Sequence, residues 1–146
     1  MTTWIKDSVQ KILDIIDASA DATLSGIPTE SFLFGAPKTP PSRLPAIYCQ
    51  FNGLTPTGKG DVAKWLYVAE FEVGIIDSDT REDNAEKSVY DKIEAVFTAL
   101  DTDETLSGNM DSDKVEPRPV TVDHLMDKQD YAFTVAKILC RYRKFL

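Results

Sequence analysis

The chain has 146 residues, a formal net charge of −8, 42% hydrophobic residues and 27% charged ones. That length suits one domain (1–146) with one core, and the balance is that of a folded chain rather than a disordered one. The acidic balance argues against a whole-surface grip on nucleic acid. No apolar run approaches the ~18 residues that span a bilayer, so no membrane association is expected.

The opening MTTWIKDSVQKILDII lacks the basic start and unbroken apolar core of a signal peptide. It reads as a helix over 4–17 instead. Ile5, Val9, Ile12, Leu13 and Ile16 fall on one stripe, with Lys6, Asp7, Gln10, Lys11 and Asp14 outside it. Residues 18–45 then lose periodicity and are punctuated by Gly26, Pro28, Gly35, Pro37, Pro40, Pro41 and Pro45. They are expected to form a long irregular connection, with Ser31–Phe34 as a short strand or an anchor within it.

Ala46–Phe51 reads as a strand bounded by Pro45 and Gly53. Trp65–Ile76 reads as a longer one, whose odd positions are all apolar or aromatic. The stretch between them, GLTPTGKG at 53–60, misses the phosphate-binding pattern G-x-x-x-x-G-K-[ST] only at its last place. In such a loop backbone N–H groups cradle phosphates and a Ser or Thr hydroxyl holds Mg²⁺. Here Gly60 removes the hydroxyl and Pro56 removes an N–H. The stretch is therefore expected to be a flexible hairpin loop without nucleotide affinity, with Lys59 available to meet an acidic partner or a DNA phosphate.

A helix follows, capped by Asp79 or Thr80, with Ala85, Val89, Ile93, Val96, Phe97 and Leu100 on its buried stripe. Leu13, Ile16, Phe71, Val73, Ile93 and Phe97 are expected to share one core. Residues 101–117 read as an acidic, solvated loop. The calcium loop of an EF-hand needs Gly at its sixth place and Glu at its twelfth. Counting from Asp101 puts Leu106 sixth, and counting from Asp103 puts Lys114 twelfth. A carboxylate site of another kind stays open, but no metal ligand can be singled out. Residues 118–126 and 131–144 complete the chain as a shorter and a longer strand.

The order α-β-β-α-β-β predicts an α+β fold. It has a mostly antiparallel sheet of about four strands in two hairpins, with the N-terminal and central helices packed on one face. His124 is the sole histidine, and no G-x-S-x-G, C-x-x-C or His-rich spacing occurs. Nothing selects a carboxylate pair, so no enzyme activity and no cofactor is expected. Cys49 and Cys140 lie in apolar runs and read as buried reduced thiols of a cytoplasmically made protein, with a disulfide between them left open.

Two further features concern partners. Residues 101–130 carry nine acids against three bases, whereas 131–146 carry Lys137, Arg141, Arg143 and Lys144 and no acid. Opposite patches can attract copies of the chain, although a solvated face explains the same pattern. The second faces of the long strands are half apolar, so either residues 18–45 or another subunit should cover them.

The helix Trp4–Asp17, the Pro-rich approach to AIYCQF, WLYVAEFEVGII, the helix SVYDKIEAVFTAL and the terminal AFTVAKILCRYRKF together resemble the tail terminator and tail-completion proteins of long-tailed bacteriophages. The likeness is one of order, length and pattern over most of the chain, without a shared residue motif. It implies a structural virion protein at the head–tail junction, assembled in the host cytoplasm. Six subunits would form a ring that caps the tail tube and joins it to the head-side neck or connector protein. The 18–45 connection is long for that family. This keeps a head-completion or neck adaptor protein as an alternative, beside a small α+β ligand-binding domain. No site residue transfers from the family. From charge alone, Lys59, Lys137, Arg141, Arg143 and Lys144 are the candidate contacts, facing a neighbouring subunit or DNA that passes non-specifically through a lumen.

Overall fold

A computed structural model of the chain describes residues 3–38, 41, 43–59, 65–78, 85–103, 105–110, 118–126 and 132–146. The fold is α+β. Helix α1 (Trp4–Asp17) is followed by a short α2 (Ala22–Ser25), a 3-10 turn (Thr29–Ser31) and strand β1 (Phe32–Phe34). Strands β2 (Ala46–Lys59) and β3 (Trp65–Ser78), helix α3 (Ala85–Leu100), and strands β4 (Val120–Met126) and β5 (Ala132–Phe145) complete it.

The amphipathic stripe read over 4–17 is the helix observed. Val9, Ile12, Leu13 and Ile16 are buried, and Asp7 in the first turn complements the positive end of the helix dipole. Residues 18–38 of the 18–45 connection are more ordered than their Gly/Pro content implies. Asp21 caps α2 by accepting from the Thr23 backbone N–H at 2.9 Å. Leu24 and Ile27 then enter the core beside α1 and α3. The expected caps of α3 at Asp79 or Thr80 lie outside the described residues.

Among the described residues the sheet has five strands in the order β1-β2-β3-β5-β4. The expectation of about four strands in two hairpins is corrected by β1. It pairs parallel to β2 through Phe32, Leu33 and Phe34 opposite Ile47, Tyr48 and Cys49, which makes the sheet mixed. Three residues are too few to display a two-residue period, and so the strand was ambiguous. The other pairings are antiparallel.

A second correction concerns GLTPTGKG. Residues 53–59 are not a loop but the far half of β2, in register with Trp65–Glu70. Register shifts at Phe51/Gly53 and Pro56/Gly58 absorb the Gly and Pro content as bulges. Gly53 and Gly58 have φ of +142° and +152°, which glycine adopts without strain. The N–H groups of this stretch are extended along a ladder rather than wrapped around a phosphate. Gly60 lies outside the described residues.

Helices α1, α2 and α3 pack on one side of the sheet. The odd residues Ile47, Cys49, Phe71, Val73 and Ile75 and the even residues Ala136, Ile138, Cys140 and Tyr142 face them in one core. Of the six expected core residues, Leu13, Ile16, Phe71 and Val73 are buried, whereas Ile93 and Phe97 are half-buried at its margin. Phe97 instead carries the Arg118 guanidinium at 5.1 Å from its ring centre.

Candidate assembly surface

Period-two alternation sends the even residues of β3 and the odd residues of β5 to the side away from the helices. At one end of this side, Tyr48, Ile76 and Val135 form a small apolar cluster joined by Leu33, Leu44 and Phe133. Residues 33 and 44 therefore cover one corner of the second face, whereas Leu24 and Ile27 add to the helical layer. The expectation that either this segment or a partner covers that face is met at one corner only.

Beyond the cluster the face turns polar. Tyr48 Oη donates to Glu72 at 2.6 Å and Gln50 Nε2 donates to the same carboxylate at 3.3 Å. One register step on, Asn52 Nδ2 and Arg141 Nε both donate to Glu70, at 3.3 and 3.0 Å. Lys137 Nζ stands 3.8 Å from Asp123 on β4. Burial, then the bond to Glu72, holds the Tyr48 phenol well above its usual range. A depression of about 450 Å³ beside the Asn52 bulge is lined by Gly53, Leu54, Thr55, Val68 and Arg141. The Glu70 and Glu72 carboxylates are engaged by neighbours, which suits a contact surface better than acid–base chemistry.

The candidate cations separate. Lys137, Arg141 and Arg143 share this face, and Arg143 is exposed at its far end. Lys144 does not join them. On the helix side its Nζ donates to the Asn109 carbonyl at 2.6 Å and lies 5.1 Å from the Trp4 ring centre, so it fastens a loop to α1. Lys59 is the last residue of β2, its backbone opposite Trp65.

The acidic loop is also corrected. Over the described residues 101–103 and 105–110 it is folded down by Leu106 and Met110, both buried. Asp101 pairs with the buried Arg118 at 2.9 Å. Asp103 accepts from the Ser107 backbone N–H at 2.9 Å and from its hydroxyl at 2.8 Å. The backbone bond holds the Asp103 carboxyl below its usual range. Leu106, Ser107 and Gly108 all have positive φ, which closes the loop tightly. Among the described residues no cluster of three or more His, Cys, Asp or Glu could hold a metal ion. Residues 111–117 lie outside them. Cys49 and Cys140 are buried and form no disulfide, and burial pushes the Cys49 thiol up.

One part-buried polar relay escaped the sequence reading. Ser88 Oγ donates to Asp77 Oδ2 at 2.6 Å and accepts from Lys92 Nζ at 2.8 Å, with Lys92 only 8% exposed. The i, i+4 spacing of Ser88 and Lys92 was the available signal. The relay ties α3 to the end of β3. With the serine proton directed at Asp77 and a lone pair taken by Lys92, it is a strut rather than a nucleophile. His124 Nδ1 lies 3.4 Å from Thr134 Oγ1 and 3.5 Å from Glu86, and its side chain is half-exposed.

No family model and no curated protein matches the chain. No helix among the described residues is long and apolar enough to cross a membrane.

Proposed function

We propose that the chain is a structural subunit that assembles with copies of itself into a ring, most simply of six, capping a phage tail tube at the head–tail junction. The observation that carries this reading is the sheet face away from the helices. It is partly apolar, crossed by the Glu70–Arg141 pair, and leads out to the exposed Arg143. A face of this kind suits burial against protein, because its polar groups are already arranged to survive loss of water. A head-to-tail contact, in which this face meets a different patch on the next subunit, closes a ring when its rotation divides a full turn. The order of elements that resembles the tail terminators gives that ring its setting between tube and neck protein. Lys137, Arg141 and Arg143 serve the subunit contact or line the lumen through which DNA passes. No catalytic role is part of the proposal.

Light scattering and negative-stain images of the purified chain test it. A ring is expected, and reversing Arg141 and Arg143 to Glu should shift it towards monomer, more strongly at low salt, while circular dichroism stays unchanged. A wild-type chain that remains monomeric at all concentrations and never adds to tail tubes would sink the reading.

A further inference from the structure

The outer face of α3 carries charge that the fold does not pair. Tyr90, Asp91 and Glu94 lie together on its exposed stripe, with Tyr90 46% exposed. Neither carboxylate has a side-chain partner among the described residues. One turn earlier Glu86 and Lys87 cancel in charge, and Lys92 is turned inward to Ser88. Helix α1 differs. Its Asp7 accepts from the Thr3 hydroxyl and its Asp14 from the Gln10 amide, with Lys6 and Lys11 on the same helix. No large apolar side chain of α1 is exposed.

On the other side of the sheet, the Arg143 end of the assembly face is the complement. Arg143 is exposed and has no side-chain partner among the described residues. Beside it on that face Leu66 and Val68 are half-exposed, and Phe145 is 37% exposed. Arg141 gives Nε to Glu70, and a guanidinium has further N–H donors. Glu72, the carboxylate of this face that meets only neutral donors, lies four residues along β3 from Val68. That is about 13 Å at strand spacing, beyond the screening length of about 8 Å.

We infer that the outer face of α3 on one copy docks on the Arg141–Arg143 end of the sheet face on the next copy. The inference rests on the self-assembly proposed above and names the patch that the sheet face meets. The spacings agree. Arg141 and Arg143 are two residues apart on a strand, about 7 Å. Asp91 and Glu94 are three apart on a helix, with β-carbons about 5–6 Å apart. Each guanidinium takes one carboxylate, while Tyr90 covers Leu66 and Val68. An aromatic ring set among Arg–carboxylate pairs is the usual make-up of an interface centre. Like patches repel, because two sheet faces would oppose Arg143 to itself and two α3 faces would oppose four carboxylates. The contact is therefore head-to-tail rather than two-fold.

Charge exchange tests it, with association read by light scattering over a dilution series. One variant carries Arg141→Glu and Arg143→Glu, the other Asp91→Arg and Glu94→Arg. Each alone presents like charge on both faces and should raise the dissociation concentration at least tenfold. The two mixed in equal amounts should associate again in alternation, and so should a chain with all four changes. Tyr90→Ala should weaken wild-type association at least tenfold. These side chains are exposed or half-exposed, so circular dichroism should not change. If loss of the Arg141–Glu70 pair unfolds the sheet, Arg143→Glu against Asp91→Arg repeats the exchange. Association left intact by the α3 changes, or not restored by mixing, overturns the inference and leaves a wild-type ring standing. A wild-type chain that stays monomeric overturns both readings. Restoration as an open filament upholds the contact and removes the ring.

Discussion

The ring of Tyr48 lies across Gly74, its partner on the neighbouring strand, so closely that a β-carbon on Gly74 would sit 1.9 Å from Tyr48 Cε1. The glycine is thus a requirement of the tyrosine. Without a side chain at 74 the ring can lie flat on the sheet and deliver its hydroxyl to Glu72. Gly74→Ala should destabilise the fold by about 1–3 kcal/mol, the usual range for overpacking. Urea unfolding measures it. Tyr48→Ala made together with Gly74→Ala should cost clearly less than the sum of the two single changes, because the two positions share one volume.

Phe71 and Phe97 look alike in sequence but not in their surroundings. Phe71 is fully buried between Phe51 and Tyr142, with ring centres 5.4 and 6.2 Å away. Its truncation to Ala should cost about 3–5 kcal/mol. Phe97 is half-buried and should cost roughly half as much when truncated, part of it through the lost Arg118 contact. Equal losses in denaturant titrations would contradict this assignment of the core.

Acid should release the 101–110 loop before the sheet. The folded-state pKa of Asp103 lies below its ordinary value of 3.8, so its contribution to stability is present above that pH and is lost as pH falls through the lowered value. Amide exchange at Ser107, whose N–H is the donor, should accelerate below about pH 4 while β3 amides stay protected. Asp103→Asn should remove most of that pH dependence.

At the other extreme, the phenols of Tyr48 and Tyr142 are both raised, first by burial. Their neutral forms are favoured in the fold. The stability they carry is therefore complete below about pH 10 and lost as pH rises through the folded values. In an ultraviolet titration these two should ionise only as the chain unfolds. Phenolate appearing at both before loss of circular dichroism would show that they are accessible.

Nucleotide binding is expected to fail. Residues 53–59 are committed to the ladder with β3. ATP or GTP should therefore give no saturable signal in calorimetry, and Lys59→Ala should change nothing in that assay. A saturable signal abolished by the substitution would mean that the far half of β2 can leave the sheet.

Long periodic segments were legible in the sequence. The stripe through Val9, Ile12 and Ile16, and the alternation through Phe71, Val73 and Ile75, each repeat often enough to fix both element and facing. What stayed hidden was decided by tertiary partners. Gly53, Pro56 and Gly58 read as a turn, yet a neighbouring strand draws them into a bulged ladder. Leu106 and Met110 look like stray apolar residues in an acidic loop, yet they anchor it to the core. For the surface, the shared face of Lys137, Arg141 and Arg143 followed from their odd spacing. Lys144 was grouped with them by charge although its even position sends it to the helix side, and its hold on Asn109 and Trp4 depends on how a loop 35 residues earlier folds.

The position of β3 within the sheet bears on how the chain is made. Its neighbour β2 precedes it in the chain, but the strand on its other side, β5, is made only after α3 and β4. At roughly 5–20 residues per second, translation leaves WLYVAEFEVGII with one bare edge for several seconds. Such a segment, rich in β-formers and unpaired along one edge, is the kind that recruits identical chains. Slower translation between residues 79 and 131 should raise the aggregated fraction, and supplying residues 132–146 as a separate peptide during refolding should lower it.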